Sequence, residues 1–476
     1  MFEFKFRFII LICALFCTVT SPSMAIDVKD FGAKGDGKAD DTNAIIAAIS
    51  GAVDGHVEFT KGLYKISRTI EVKLGETGPL SISGAGGTGS VIMTGEGPAF
   101  RFIGSHEGSA LPSTVKPIVW EKERMPTIYD LEIIGAHKDA DGLEFRNTMQ
   151  PTVRGLLIRD VRTGVHLVSR NRNIIIADCH IYNASGIGIF LDQVNIHQFI
   201  ISNSHISYCK QGGIKVAGGN IRNFQITGND IEYNCDPEGI VSADIWIDCS
   251  KPGSSVREGT ISGNTIQAIY SPNGANIRFI GQEGNPRKIG LWSITGNHIS
   301  AQDINIHLQQ TRGINITGNS FIRGFNRNIV IENSENIVVG NNVMDRNEDY
   351  YSATDSTAVG GVSIANSRNI IFSSNILEGA EAGNEQAGGA LTINNSRHIT
   401  INNNQITDPK FQGIHINNSA GVMVSACMVT ENRQIPRMLS GILVTGACPD
   451  TVVRGNRVDN GKSGRIKNKA TGAIIE

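Results

Sequence analysis

After its first 25 residues the chain has no apolar run long enough to cross a bilayer, which excludes a helical membrane protein downstream of that point. It has no basic low-complexity run and little net charge, so nucleic acid is not an expected partner. The eleven histidines and eight cysteines show neither a His-x-x-x-His nor a Cys-x-x-Cys cluster, and zinc is not expected. Calcium is the one cofactor left open, through Asp236, Glu238 and Asp244. The formal charge is only -2.

The first 25 residues are of another kind. Lys5 and Arg7 precede an apolar run over residues 8–19, and Ser23-Met24-Ala25 gives a small-x-small end. This pattern predicts a signal peptide over 1–25, cleavage before Ile26, and a secreted or periplasmic protein with no remaining membrane span. Cleavage would remove two positive charges and one negative, taking the formal charge to -3. Six cysteines would remain, an even number compatible with disulfides in an oxidising compartment.

What the chain does have is a repeat. Ile-Thr/Ser-Gly-Asn-x-Ile occupies residues 226–231, 261–266 and 294–299, with Phe321 closing the copy over 316–321. Its fourth position recurs at Cys179, Ser204, Asn229, Asn264, Asn297, Asn319, Asn341, Asn375, Asn404, Cys427 and Asn456. The shortest steps are 22 to 25 residues and the longer ones reach 35. A coil of that length supplies three short strands and three turns, so the spacing predicts an all-β parallel β-helix, a solenoid folding as one long unit. Its expected extent is 26–460. A basic, glycine-bearing tail over 461–476 loses the repeat and is expected to be poorly ordered.

A second strand with period-two alternation follows each copy, burying branched residues and exposing those between them. Asn333, Asn366, Asn395 and Asn418 fall in one column after it, and Ser334, Ser367, Ser396 and Ser419 in the next. These asparagines are expected to be ladder residues that fix register rather than catalytic groups. At the other end, Asp40-Asp41-Thr42 followed by Ile45, Ile46, Ala48 and Ile49 predicts a short N-capped helix covering the first coil, whose open edge would otherwise be sticky. Cys209 and Cys235 fall in equivalent turns of neighbouring coils, where a disulfide is geometrically reasonable and free thiols are the alternative.

The segment Asp30-Phe31-Gly32-Ala33-Lys34-Gly35-Asp36-Gly37, continuing to Asp40-Asp41-Thr42-Asn43-Ala44-Ile45, resembles the opening of the pectate-lyase-like superfamily, which includes rhamnogalacturonases, polygalacturonases, epimerase-like enzymes and phage tailspikes. With the coils behind it, the resemblance covers nearly the whole chain after residue 25. It implies a right-handed parallel β-helix acting on a polysaccharide, usually an acidic one. It does not fix the reaction. Of the polygalacturonase motifs only Arg465-Ile466-Lys467 has a counterpart, in the tail, and Asp236-Pro237-Glu238 lacks the histidine of the alginate-epimerase motif.

The outward positions of the second strand run Glu144/Arg146, His166/Val168, Phe190/Asp192, Lys215/Ala217, Trp246/Asp248, Arg278/Ile280, Asn305/His307 and Val330/Glu332. The four later pairs are small or neutral apart from His415. The inserted segments 234–243 and 269–275 precede the strands bearing Trp246 and Arg278, and 251–258 and 282–288 follow them. Long turns on both sides of a flat strand predict a walled groove. Its candidate catalytic residues are Asp192, Lys215, Asp248, Arg278 and His307; Arg146, His166, Trp246, Asn305 and Glu332 are expected to bind substrate. Asp192 and Asp248, two coils apart, suit acid and base roles in hydrolysis. Lys215, His307 and Arg278 suit proton abstraction beside a uronate carboxylate and stabilisation of the resulting charge. A groove that only holds a glycan, without chemistry, is the competing expectation.

Overall fold

The computed structural model describes residues 25–108, 110–351 and 357–476. The leader expected over 1–25 lies outside the described residues apart from Ala25. From Ile26 onward the chain coils, and each segment pairs in parallel with its equivalent one turn later. Strand Ala243–Asp248 pairs with Ala275–Ile280, Ser255–Ser262 with Ile289–Thr295, and Thr265–Gln267 with His298–Ser300. Every coil thus contributes to three faces. Among the described residues the third face is a sheet of 16 strands, while the first two merge into one 28-stranded sheet wherever a strand such as Ile189–Ser202 runs through the corner between them. This is a right-handed parallel β-helix.

Alternation explains the core. Ile214, Ile245, Ile277, Ile306 and Ile329 stack one above another inside, all fully buried, and each contributes about 1.5–3 kcal/mol relative to exposure. Aromatic rings stack in the same way: Phe199 lies over Phe224 at 5.0 Å, and Trp292 packs edge-on against Phe279 at 4.9 Å. The Trp292 ring occupies the space a Cβ on Gly259 would need, 2.5 Å away, so that coil position accepts only glycine.

The expected asparagine file exists as a continuous chain of hydrogen bonds. The backbone N–H and side-chain amide of Asn229 both donate to Asn264 Oδ1, and the pattern repeats through Asn297, Asn319, Asn375 and Asn404. Ser204 and Cys179 continue it at one end and Cys427 and Asn456 at the other. The member between Asn319 and Asn375 is Asn342, not Asn341. Asn341 instead takes the left-handed turn position, φ 56°, held by glycine in neighbouring coils at Gly296 and Gly318. Asparagine tolerates that conformation, which is why one more Asn in the sequence hid the true register.

Two further expectations change. In the Asn333 and Ser334 columns it is the serines that form the buried file, with the Ser334 N–H donating to Ser367 Oγ and onward to Ser396 and Ser419. The asparagines supply left-handed corners, with φ of 45–50°. The C-terminal segment is a strand, Ile466–Ile475, paired along Ser440–Arg454, so the tail expected over 461–476 is part of the last coil.

The N-terminal helix runs Thr42–Gly51 and buries Ile45, Ala48 and Ile49 in the main core. The capping carboxylate is Asp40, which accepts the Thr42 N–H, whereas Asp41 accepts the N–H groups of Lys34 and Gly35 and pins the preceding loop. Cys209 and Cys235 are buried free thiols, each pushed up to about 12 by burial.

Candidate functional site

The outward residues of the first face form two columns. One runs Glu144, His166, Phe190, Lys215, Trp246, Arg278 and His307, each paired in register with the next. The other carries Arg146, Asp192, Asp248 and Glu332, with Val168, Ala217, Ile280 and Gln309 in the coils between. Nine of the ten expected site residues therefore lie on one face. The exception is Asn305. It aligns with Asn276 and Asp244, is fully buried, and donates to Ile322 O and Asn328 Oδ1, so it is a structural amide. The outward partner of His307 is Gln309, which pairs in register with Ile280 and Glu332.

Lys215 Nζ lies 4.4 Å from the centre of the Trp246 ring and the Arg278 guanidinium carbon 5.4 Å from it. These cation–π contacts flank the indole from both neighbouring coils, so Trp246, expected to bind substrate, is a bracket for two cations. Burial lowers the Lys215 pKa, and nearby Asp248 opposes that shift. Arg278 is 6% exposed, and burial likewise disfavours its charge, with Cys235 and Asp303 opposing. It donates to Asn273 O, while its Nε and the Trp246 Nε1 are buried without partners. Asp303, which the sequence pattern did not single out, is raised by burial and lies near Arg278.

On either side of this centre the groups are paired. His166 stacks on Phe190 at 5.2 Å, nearly parallel, and its Nε2 is 3.6 Å from Asp192 Oδ2. His307 Nε2 is 3.3 Å from Glu332 Oε2, and this hydrogen bond holds the Glu332 carboxyl below its ordinary range. Arg146 and Arg101 both reach Glu144, so the N-terminal end of this face is an ion-pair network. Lys215 and His307 are three coils apart, about 14 Å, too far to act on one reacting atom. Asp192 and Asp248 are two coils apart, about 9–10 Å.

Beneath this face lies Asp244, which the sequence offered only as a calcium ligand. Asp244 is fully buried and accepts from the Asn234 backbone and side chain and from Asn276. Burial outweighs those donors and pushes its pKa to about 7. The calcium site expected from Asp236, Glu238 and Asp244 does not assemble, because Asp244 points inward and spends its oxygens on amides. Among the described residues, the three groups that do come within ligand distance are His205, Asp230 and Glu232, on the third face. Among the described residues, no helix is long and apolar enough to cross a membrane.

Sequence comparison agrees with this architecture. The family model described as right handed beta helix region matches residues 118–261 and 355–473, more than half of the chain, so the protein belongs to that family. Residues 25–99 match the model described as rhamnogalacturonase A/epimerase, pectate lyase-like, placing the N-terminal coils with the pectate-lyase-like proteins. No curated protein sequence matches the chain. Similar solved structures include the mannuronan C-5 epimerase AlgE6 A-module of Azotobacter vinelandii, at 12% identity and TM-score 0.39 over 94% of this chain and 97% of that one. Another is the Dettilon tailspike protein, at 15% and 0.47 over 95% and 68%. A third is the GH87 alpha-1,3-glucanase catalytic unit of Streptomyces thermodiastaticus, at 14% and 0.31 over 96% and 68%.

Proposed function

We propose that the protein is an extracytoplasmic enzyme that processes an anionic polysaccharide in this groove, by proton abstraction next to a uronate carboxylate. The observation that carries this reading is the convergence of two poorly solvated cations, Lys215 and Arg278, on Trp246, in the same column and between the carboxylates of Asp192 and Glu332. A uronate carboxylate would give Arg278 the direct ion pair it lacks among the described residues, and neutralising that carboxylate acidifies the proton on the adjacent ring carbon. Lys215, whose ammonium form is destabilised by burial, takes that proton. Return of a proton to the other face of the carbon gives epimerisation, and expulsion of the neighbouring glycosidic oxygen gives β-elimination. Asp248 stands beside Lys215 to hold its charge once it is protonated.

Hydrolysis by Asp192 and Asp248 is the less favoured chemistry, since their separation is at the upper limit for an inverting pair, about 6.5 to 9.5 Å. The leader-like composition of residues 1–25 supports export. The test is product analysis with polygalacturonate and alginate. An unsaturated uronate end, or an inverted sugar in an uncut chain, is the expected product. New saturated reducing ends would replace this reading with hydrolysis. Binding without any product would replace it with a glycan-holding protein.

A further inference from the structure

Around the corner from the groove, the second face carries another column that the sequence pattern did not reveal. Arg172, His197, Arg222 and Arg257 pair in register on four successive coils, about 4.8 Å apart. Surface charges normally alternate in sign, and like charges opposite one another on adjacent strands are destabilising. Further along the same column the usual solution appears, with Glu335 bridging Arg312 and Arg368. Among the described residues, Arg222 and Arg257 have no such acid within ion-pair distance. Arg222 is held by Ile221 O, Ser255 O and Ser255 Oγ, and Arg257 by Ser255 Oγ, all neutral acceptors. The nearby carboxylate, Glu258, is exposed and makes no ion pair with either among the described residues.

The N-terminal end of this strip is built more deeply. His106, on the loop after strand Gly97–Ile103, is 1% exposed, and neither ring nitrogen has a partner. Nε and Nη2 of Arg170 and Nδ1 of His197 are also buried without partners. Burial first, then Arg170 and Arg172, pulls the His106 pKa down to about 4, so these groups sit in one another's field. His197 is shifted in the same direction, by burial and then by the same two arginines. Unpartnered buried donors cost free energy, and a cluster containing several of them is completed by an anion with many acceptor oxygens.

We propose that His106, Arg170, Arg172, His197, Arg222 and Arg257 form a second binding strip for an anionic polysaccharide, separate from the groove, in which successive carboxylate or sulfate groups lie along successive coils and one is received at His106 and Arg170. The periodicity favours a polymer, since four coils present cationic groups at nearly equal steps and the uncharged acceptors leave the guanidinium edges available. The strip binds whether or not the groove is catalytic. A chain held there would keep the enzyme on a polymeric substrate while the groove works on another segment.

The experiment is isothermal titration of the purified protein with polygalacturonate, alginate and heparin, each at low and moderate salt, with neutral dextran and single-stranded DNA as comparisons. The Arg222→Gln, Arg257→Gln double variant is expected to bind the preferred anionic polymer about tenfold more weakly, with a shallower salt dependence, at an unchanged unfolding midpoint. The groove variant Lys215→Ala, Arg278→Ala is expected to keep one of two binding events. Should the double strip variant fail to fold, Arg257→Gln and His106→Ala are measured singly against the same polymers, each with a smaller loss expected. Unchanged affinity in the folded strip variants overturns the proposal. So do binding to none of the three polymers, equal affinity for dextran, equal or tighter binding of DNA, or loss of all binding in the groove variant. Failure of the catalytic reading is seen separately, as absence of product.

Discussion

The coils bearing Phe190 to His307 and those bearing Ser363 to Thr445 share one backbone register and one interior, yet they treat polar groups on the outer face in opposite ways. In the later coils polar side chains satisfy each other: His415 accepts the Gly388 N–H and bonds Thr445, and Thr445 donates to Asn417. In the earlier coils Trp246 Nε1, Arg278 Nε and His307 Nδ1 are buried without partners. Since both halves are held by the same stacked core and ladders, the difference is not needed for folding. On the proposed reading, it marks the half where an incoming ligand would complete the hydrogen bonding.

Lys215→Ala should break this contrast most severely. Turnover on the identified polymer is expected to fall by about two orders of magnitude or more, while Ser363→Ala, in the same column of the later coils, leaves turnover unchanged. Steady-state rates for both variants check this, and equal losses would erase the distinction between the halves. Neither change is expected to move stability by more than about 0.5 kcal/mol.

The asparagine file, by contrast, runs through both halves and should be indifferent to them. Asn264→Ala and Asn375→Ala each remove an oxygen that accepts two N–H groups and an amide that donates to two oxygens. Each is expected to cost about 3 kcal/mol in urea unfolding, with similar values for the two. A large loss in only one half would show that the halves differ in their framework too.

Asp244 gives a smaller, pH-dependent difference confined to the earlier coils. In the unfolded chain its carboxyl titrates near the ordinary value, whereas in the fold it holds its proton up to about 7. Between those values the native state binds more protons, so its contribution to stability is present at acid pH and is lost as pH rises toward 7. Asp244→Asn should flatten that slope, because a neutral amide carries no such charge and Asn276 Oδ1, buried without a partner, is available to accept its N–H. Thermal midpoints from pH 4 to about 7 measure it. Parallel curves for the two proteins would remove Asp244 as the source. The smallest effect belongs to Asn341→Gly at the boundary between the halves, expected within about 0.5 kcal/mol, since the position asks only for a left-handed backbone.

Much of the fold was legible because a solenoid is nearly one-dimensional. Each coil meets only its neighbours, so the spacing of Ile-Thr-Gly-Asn copies maps directly onto contacts, and alternation assigns inside and outside. The errors came where one residue of slip is silent in composition. Asn341 and Asn342 are chemically identical, and only the pairing of Ile316 with Val339 decides between them. Asn305 and His307 share one parity, and only the burial of Asn305 against Ile322 O and Asn328 Oδ1 takes it off the outer face.

The candidate groove was legible to the same extent: the columns holding Asp192, Lys215, Trp246, Asp248, Arg278 and Glu332 follow from counting. That Lys215 and Arg278 lean on Trp246, that Arg278 is buried, and that Asp244 sits beneath them with a raised pKa depend on side-chain direction and the exclusion of water. Sequence spacing carries neither. The arginine column of the second face follows the same rule, because its members lie 25 to 35 residues apart and become neighbours only through the ladder. The sequence by itself determined the coil, its interior and its register files, since these rest on periodic burial and local turn chemistry. Which outward charges meet, and which are left without counter-charges, was decided only when stacking brought distant coils within about 4.8 Å of one another.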